Sequence, residues 1–136
     1  MSIRAEVRGN LTSNPVAKTI TVSGEPKNIV ELRVFSDEYK RVGDDLVQDD
    51  PKCIGIDVTI WNERVGQQAM KLLRKGARVV VSGDLFPNRF EDRDSHELRT
   101  NLQMNAESVS LALNRVEGVQ FAPSRREREE AQGAPA

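Results

Sequence analysis

The sequence predicts an all-β fold, a small five-stranded barrel with one helix between its third and fourth strands. Three observations support this prediction. Apolar and polar residues alternate with a period of two along several segments of residues 1–113. Residues 62–76 instead repeat their apolar residues with the period of a helix. Residues 117–136 hold too little apolar surface to order themselves, so we expect a domain over residues 1–116 and a disordered tail.

Alternation defines the strands that come before the helix. Residues 3–11 alternate strictly, and residues 16–22 resume a strand after the break at residues 13–15, Ser-Asn-Pro. Residues 28–36 form the second strand and residues 54–60 the third. In both of these strands the aliphatic residues fall on one side, so that side is expected to face the core.

The segment between the second and third strands, residues 37–51, predicts a long exposed loop. Over residues 37–52 six acids face three bases, a net charge of −3, so the remaining residues carry +2 of the total −1. An acidic loop that swings clear of a basic groove is compatible with an anionic partner. The overall charge therefore does not exclude nucleic acid.

Residues 62–76 predict the helix. Asn62 is a good N-cap residue, and Glu63 places a negative charge at the positive end of the helix dipole. Gly76 can supply the left-handed position after the helix. The predicted apolar stripe consists of Val65, Ala69, Leu72 and Leu73. The last turn is expected to hold Lys71, Arg74 and Lys75.

Two strands follow the helix. Residues 79–81 begin the fourth strand, which residues 82–84 close, and residues 98–113 form the last. Residues 84–97 predict a hairpin or a long loop between them. Three strands, a helix and two strands is the order of the OB-fold, a five-stranded Greek-key barrel. A plain α+β sandwich is the alternative.

The sequence offers little for catalysis. The one histidine, His96, lies in a polar loop, and the one cysteine, Cys53, has no histidine near it in sequence. The acids at 44–45 and 49–50 lack the spacing of an EF-hand, and no phosphate-binding glycine pattern occurs. We therefore expect no enzymatic activity, no metal and no cofactor. With no apolar signal region or membrane span in the sequence, the expected location is cytoplasmic.

The aromatic residues give the main indication of function. Strand parity places Phe35 and Trp61 on the face opposite the aliphatic residues. Phe86 and Phe90 lie in a polar segment, and Tyr39 begins the acidic loop. We therefore expect an aliphatic core with the rings directed to the surface. The sixth ring, at position 121, belongs to the tail.

Arginines accompany these rings. Arg33 shares the face of Phe35, and Arg89 and Arg93 flank Phe90. Unpaired bases stack on rings, worth about 1–3 kcal/mol per base, while cations follow the phosphates. The pattern therefore indicates binding of single-stranded nucleic acid. The alternative for the rings is packing at the barrel end and contacts between copies of the chain.

Three segments resemble the bacterial single-stranded DNA-binding protein family. Residues 9–15, Gly-Asn-Leu-Thr-Ser-Asn-Pro, resemble the family's Gly-Asn-Leu-x-x-Asp-Pro turn. Residues 58–61, Val-Thr-Ile-Trp, resemble its third strand, which ends in an aromatic. Residues 73–85, which begin Leu-Arg-Lys-Gly, resemble its passage from helix to strand at unbroken spacing. The resemblance covers residues 1–113.

The resemblance implies an OB-fold homotetramer, with a dimer as the alternative, that binds single-stranded DNA without sequence preference. Such a protein would protect DNA during replication, recombination, repair or transfer of a mobile element, and would lie at the nucleoid. Trp61 and Phe90 match the family's stacking aromatics, and Tyr39 lies within one position of a third. The implied phosphate contacts are Arg4, Arg8, Lys18, Arg33 and Arg89. The predicted interface further includes Phe35, Thr59, Phe86 and Arg93.

Three departures from the family pattern qualify these expectations. Gly55 stands where the family often has a tryptophan, so one stacking platform is missing. The loop at residues 37–51 is unusually acidic. The sequence ends in Gln-Gly-Ala-Pro-Ala, whereas typical members end in an acidic segment tipped by an aromatic that recruits partner enzymes. We expect no recruitment of that kind, which suggests a specialised paralogue carried by a mobile element.

A second hypothesis is an OB-fold interaction module, such as a primosome accessory, that binds nucleic acid weakly. The missing platform, the acidic loop and the near-neutral charge favour it. RNA binding is a variant of the first hypothesis because stacking tolerates either sugar. Under either hypothesis the first strand, residues 3–11, could pair edge to edge with a second copy of the chain.

Overall fold

The structure is a computed structural model that describes residues 2–133. Most of the described residues lie in strands, and two α-helices and two short 3-10 turns (Asp50–Lys52 and Leu113–Arg115) accompany them. The elements, in chain order, are β1 (Ile3–Leu11), β2 (Val16–Val22), β3 (Glu25–Ser36), β4 (Tyr39–Val42), β5 (Asp45–Gln48), β6 (Ile54–Ile60), α1 (Glu63–Leu72), β7 (Arg78–Glu91), β8 (Leu98–Leu111) and α2 (Arg125–Gly133).

Six strands form one sheet in the order β1-β7-β8-β6-β3-β2. β1 also pairs with β3 at Asn10 and Leu11, and this pairing closes the sheet into a barrel. β6 and β8 are parallel, whereas the other neighbours are antiparallel. The helix α1 lies between β6 and β7 in the chain and packs against β3. The predicted OB-fold barrel is confirmed.

The core is aliphatic, as the alternation predicts. Val30, Leu32 and Val34 of β3 are buried, while Arg33 between them is exposed. Each fully buried side chain of this kind is worth about 1.5–3 kcal/mol. No described aromatic residue is among the buried ones. The buried apolar residues are Leu11, Ile29, Val30, Leu32, Val34, Ile56, Val58, Ile60, Ala69, Val79, Val81 and Met104.

Two glycines allow strands to approach closely. A Cβ at Gly9 would collide with the carbonyl oxygen of Phe35, where β1 meets β3. A Cβ at Gly83 would collide with the carbonyl oxygen of Asn105, at the β-bulge between β7 and β8. Glycine is therefore required at both positions by space alone.

The turn after β1 is tied to the end of the helix segment. The Asn14 side chain accepts a hydrogen bond from the backbone N–H of Lys75 at 2.8 Å. The N–H of Gly76 donates to the carbonyl of Leu11 at 2.8 Å, and Leu11 donates to Ala77 at 2.9 Å. Two of the three segments that carry the family resemblance therefore meet at one end of the barrel.

The helix begins as predicted and ends earlier than predicted. The Asn62 side chain accepts a hydrogen bond from the N–H of Val65 at 3.1 Å. The helix ends at Leu72, which is 63 % exposed, so its place in the apolar stripe is wrong. Because Leu73 is extended, the predicted cations Arg74 and Lys75 lie outside the helix. The buried face instead consists of Gly66 and Ala69, with Val65 and Leu73 half-buried.

Two predicted loops are hairpins. Residues 37–51 contain β4 and β5, which pair only with each other around a two-residue turn at Gly43 and Asp44. All eight strand residues are exposed. Because none of them packs in the core, the sequence shows no alternation of apolar and polar residues that would predict these two strands. Over residues 84–97 the hairpin alternative is correct, because β7 continues to Glu91 and pairs with β8 from Leu98. The predicted close of the fourth strand at residues 82–84 is instead a β-bulge.

Within the predicted tail, residues 125–133 form α2. Ser124 and Glu127 exchange side-chain-to-backbone hydrogen bonds of 3.1 and 3.2 Å, a capping box. Ion pairs at i,i+4, Arg125 with Glu129 and Arg126 with Glu130, support the helix further. Residues 134–136 of the predicted tail lie outside the described residues.

Candidate nucleic-acid interface

The predicted site residues gather mainly on the outer face of β3, β6, β8 and β7. Residues paired across strands share a face, so the register places them in rows. One row contains Arg33, Asp57, Gln103 and Phe86. The next row contains Glu31, Thr59, Asn105 and Asp84. Carboxylates and amides therefore lie beside the predicted cations and rings.

Trp61 lies directly after β6 and is 42 % exposed. Its indole N–H donates a hydrogen bond to Oδ1 of Asn105 at 3.0 Å. Asn105 is opposite Thr59 on one side and opposite Asp84 on the other. This bond holds one edge of the indole against β8. Sequence reasoning missed Asn105, because the parallel pairing of β6 and β8 joins residues 44 apart.

Phe86 and Phe90 alternate on the outer face of β7. They are 37 % and 42 % exposed, and Asn88 lies between them. Phe90 is opposite Arg99, whose Nε lies 2.7 Å from Oδ2 of Asp92. The two rings and Trp61 therefore share one side of the sheet.

Arg89 lies on the other face of the β7–β8 hairpin. It is opposite Thr100, whereas Phe90 next to it is opposite Arg99. Arg93 lies in the loop that joins the two strands. The cation that shares the face of Phe90 is therefore Arg99. The alternation of side chains along β7 and β8 would have predicted this, had the ends of the two strands been known.

Phe35 lies near an open position of the sheet. It is half-buried and pairs with Gly55 across β3 and β6. A Cβ built at Gly55 meets no atom within 4 Å. The position where the family often has a tryptophan thus has room for a side chain.

Tyr39 lies away from the other rings. It lines a cavity of about 510 Å³ together with Arg8, Ile54 and Arg78. Ile54 and Trp61 lie at opposite ends of β6, which spans about 23 Å at 3.3 Å per residue. A hydrogen bond with the Asp37 carboxylate, and its charge, raise the pKa of Tyr39 above the ordinary value of 10.0. The structure therefore separates Tyr39 from Trp61, Phe86 and Phe90.

Most of the predicted phosphate contacts are already paired with acids. Arg33 Nε lies 3.1 Å from Asp57 Oδ1, and Lys18 Nζ lies 2.8 Å from Glu31 Oε2. The remaining pairs join Arg4 to Asp84 at 3.2 Å and to Glu107, and Arg8 to Glu6 at 3.5 Å. Within residues 2–133, Arg89 and Arg93 make no ion pair. Exposed pairs of this kind are worth about 0–1 kcal/mol, so a phosphate can displace the acid at little cost.

Asp57 organises the middle of the face. One carboxylate oxygen accepts from Arg33 Nε, and the other accepts from Asn101 Nδ2 at 2.8 Å. In the described chain, the Oδ1 atom of Asn101 is buried and has no hydrogen-bond partner. Asp57 therefore holds the Arg33 guanidinium by its Nε and leaves the terminal nitrogens free to bind an anion.

The residues considered for catalysis or metal binding make local contacts. His96 has a positive φ of 58° and its Nδ1 lies 3.3 Å from Glu91 Oε1. Cys53 is half-buried, and its Sγ accepts from the N–H of Glu38 at 3.4 Å. In the part of the chain that the structure describes, no three metal-binding side chains cluster. No helix of residues 2–133 is both long and apolar enough to cross a membrane.

The barrel and its outward rings place the protein among OB-fold proteins whose strand face is open to a ligand. Residues 4–112 match the model of the single-strand binding protein family, and the chain belongs to this family. The predicted resemblance is thus confirmed. No curated protein sequence matches the chain significantly.

Two solved structures share the fold. A small single-stranded DNA-binding protein from Streptomyces coelicolor is 19% identical, with a TM-score of 0.68 over 85% of this chain and 99% of that chain. A single-strand binding protein from Plasmodium falciparum in complex with single-stranded DNA is 18% identical, with a TM-score of 0.57 over 82% of this chain and 93% of that chain. At these identities the likeness concerns the fold.

Proposed function

We propose that this protein binds single-stranded DNA without sequence preference, on the outer face of β3, β6, β8 and β7. The observation that carries the proposal is the exposure of Trp61, Phe86 and Phe90 on one side of the barrel of a single-strand binding protein. Rings stack on any base, so this arrangement supports binding that is independent of sequence.

Stacking supplies most of the proposed binding energy. Each base stacked on a ring contributes about 1–3 kcal/mol. Arg89 lies on the other face of the hairpin and is not part of the proposed path. Arg93 makes no ion pair within residues 2–133, whereas Arg33, Arg4, Arg8 and Lys18 exchange a carboxylate for a phosphate. Such an exchange releases fewer counterions than binding by unpaired cations. The salt dependence is therefore expected to be shallower than the number of cations suggests.

The protein is proposed to act as a homo-oligomer, a tetramer or a dimer. β1 pairs with β7 along Ile3–Asn10 but with β3 only at Asn10 and Leu11. The other edge of residues 3–9 therefore has no partner strand within residues 2–133, and an open edge can pair with a second copy. The proposed roles are those that expose single strands: replication, recombination, repair and transfer of mobile elements in the cytoplasm.

One observation favours the second candidate, a protein-interaction module that binds nucleic acid weakly. The hairpin of β4 and β5 lies in a segment of net charge −3 over residues 37–52, which repels a phosphate backbone. The two candidates differ in the affinity for DNA that they predict.

Titration with oligo-dT tests the proposal, because Trp61 is the one tryptophan. Stacking should quench its fluorescence, and the affinity should fall as salt rises. Oligo-U in competition measures the preference for DNA over RNA. If the fluorescence is not quenched and no binding occurs at low salt, the proposal is overturned. The interaction module then remains as the candidate function.

A further inference from the structure

Arg99 lies at the far end of the β7–β8 hairpin, on the face that carries the exposed rings. It is opposite Phe90 in the strand register, and residues paired in this way share a face. The Arg99 side chain is 56 % exposed, and Phe90 is exposed as well. Glu91, the acid next to Phe90, is opposite Leu98 and belongs to the other face. Arg99 therefore presents a positive charge beside an exposed ring.

Asp92 holds the Arg99 side chain in place. Oδ2 of Asp92 lies 2.7 Å from Nε of Arg99. Oδ1 of the same carboxylate accepts hydrogen bonds from the backbone N–H groups of Asp94 at 2.9 Å and Ser95 at 3.3 Å. The turn therefore fixes the carboxylate, and the carboxylate orders the arginine before any ligand arrives. A long side chain that is already ordered loses less conformational entropy on binding, which favours affinity.

The ion pair leaves most of the Arg99 guanidinium available to a second anion. An arginine has five N–H donors, and the pair with Asp92 is made through Nε. The terminal nitrogens carry the other four donors, and their planar arrangement matches two oxygens of one phosphate. A phosphate can therefore bind Arg99 while the arginine stays beside Asp92.

We propose that Arg99 binds the backbone phosphate of the nucleotide whose base stacks on Phe90. The ring holds the base and the guanidinium holds the phosphate, so the end of the hairpin holds one whole nucleotide. This contact rests on the proposed binding of single-stranded DNA and adds a residue that the sequence did not indicate. Neither group reads the edge of a base, so the contact agrees with binding that is independent of sequence.

Titration of the full chain with labelled oligo-dT at several salt concentrations tests the contact. Arg99→Gln removes the charge, and Arg99→Lys keeps it. Arg89→Gln is the matched control, because Arg89 lies on the same hairpin but on the other face. Thermal unfolding of each variant measures separately whether the substitution changes stability. If Arg99→Gln does not fold, the lysine variant decides.

Arg99→Gln should weaken binding at low salt by about tenfold, the usual effect of one hydrogen bond to a charged group. The slope of log K against log salt should become shallower by about 0.7, the value for one phosphate on a single strand. Arg99→Lys should keep the slope but lose a few-fold in affinity, because an ammonium group cannot grip two phosphate oxygens as a planar fork does.

Arg89→Gln should bind within about twofold of the wild type, because its position faces away from the proposed path. A loss in Arg89→Gln as large as that in Arg99→Gln would assign the effect to net charge and overturn the contact. An Arg99→Lys variant that binds as tightly as the wild type would overturn the paired hydrogen bonds to the phosphate.

A double-mutant cycle with Phe90→Ala tests whether the ring and the arginine hold the same nucleotide. Two groups that hold one nucleotide depend on each other, so their losses should not add. Phe90→Ala with Arg99→Gln should bind at least about threefold more tightly than the product of the single losses predicts. Phe90→Ala with Arg89→Gln should match that product within about twofold. Independent losses at Phe90 and Arg99 would overturn the assignment to one nucleotide.

Failure of DNA binding itself would be visible separately, as a wild type that does not bind oligo-dT at low salt. That result overturns the proposed function and the Arg99 contact together. A wild type that binds, beside an Arg99→Gln variant with the same affinity and the same salt slope, overturns the Arg99 contact alone.

Discussion

The two hairpins of this protein differ in construction and in chemistry. The β7–β8 hairpin continues two strands of the barrel, each of 14 residues, and carries two exposed rings, Phe86 and Phe90. The β4–β5 hairpin has strands of 4 residues, pairs with no barrel strand among the described residues and lies in a segment of net charge −3 over residues 37–52. Two exposed rings on one face suit bases, whereas residues 39–48 hold two acids against two bases and lie between further acids at residues 37–38 and 49–50. We therefore propose that the first hairpin, and not the second, contacts DNA.

The largest expected effect separates the two hairpins directly. Phe86→Ala with Phe90→Ala should weaken oligo-dT binding by at least about thirtyfold, because each lost ring costs about 1–3 kcal/mol. Val42→Ala with Leu46→Ala removes two exposed apolar side chains from the other hairpin and should leave single-site affinity unchanged. Fluorescence anisotropy with a labelled oligonucleotide measures both. Equal losses of affinity for oligo-dT in the two double variants would contradict the proposal that only the β7–β8 hairpin contacts DNA.

A ring added between the two arms should strengthen binding. Gly55→Trp places an indole beside Phe35, where a Cβ has open space. The gain should be about 1–3 kcal/mol, roughly fivefold to 150-fold in affinity. Gly55→Leu is the matched control, since it fills the same space without an aromatic ring. A tryptophan that performs no better than the leucine contradicts the stacking explanation.

A smaller gain is expected from removing the internal partner of Arg33. Asp57→Asn keeps one of the two hydrogen-bonding oxygens but loses the charge that a phosphate has to displace. Affinity at low salt should rise several-fold, and the slope of log K against log salt should steepen by about 0.7, the value for one phosphate on a single strand. An unchanged slope would show that Arg33 does not contact the backbone.

The bond between Trp61 and Asn105 should have an effect of about 0.5–1.5 kcal/mol, the usual net value of one hydrogen bond. Asn105→Leu removes the acceptor for the indole N–H, while Asn105→Asp keeps an acceptor. The leucine variant should show a shifted Trp61 emission in the free protein and weaker binding. The aspartate variant should keep the emission of the wild type, and a shift of equal size in both would argue against this positioning role.

The smallest expected effect is a shift in the pKa of Tyr39, at the start of the β4–β5 hairpin. Because Asp37 raises the folded-state pKa of Tyr39, its contribution to stability is present below about pH 10 and is lost as pH rises through the raised value. Tyr39 is the one tyrosine, so its ultraviolet absorbance on ionisation reports this titration directly. Asp37→Asn should return the pKa towards 10. A titration that is the same in both proteins would show that the contact is absent in solution.

The sequence predicted best the parts of the molecule that bury apolar residues. Side chains alternate with a period of two, so the faces of β3 and β6 followed from Val30, Leu32 and Val34 and from their counterparts at 56, 58 and 60. The β4–β5 hairpin has no buried strand residue, so the Gly-Asp pair at its turn was the one feature of the sequence that could predict it. Leu72 was misplaced because helical periodicity does not show where a helix ends.

For the candidate site, the sequence predicted which residues would be exposed but not which residues they would contact. Trp61, Phe86 and Phe90 were recognisable as rings outside the core, and all three are exposed. Their partners were not recognisable, because the register of distant strands decides them: Arg33 meets Asp57, 24 residues away, and Trp61 meets Asn105, 44 residues away. The same limit applies to Arg89, whose position on the other face depends on where the hairpin turns.

The most direct test of the division between the two arms is ultraviolet crosslinking of the full chain to oligo-dT, followed by mass spectrometry of the peptides. Bases stacked on rings crosslink to the side chains that they touch. The predicted crosslinks fall at Trp61 and at Phe86 or Phe90, with none on residues 39–48. Crosslinks confined to residues 39–48 would contradict the assignment of the β7–β8 hairpin and the adjoining sheet face to DNA.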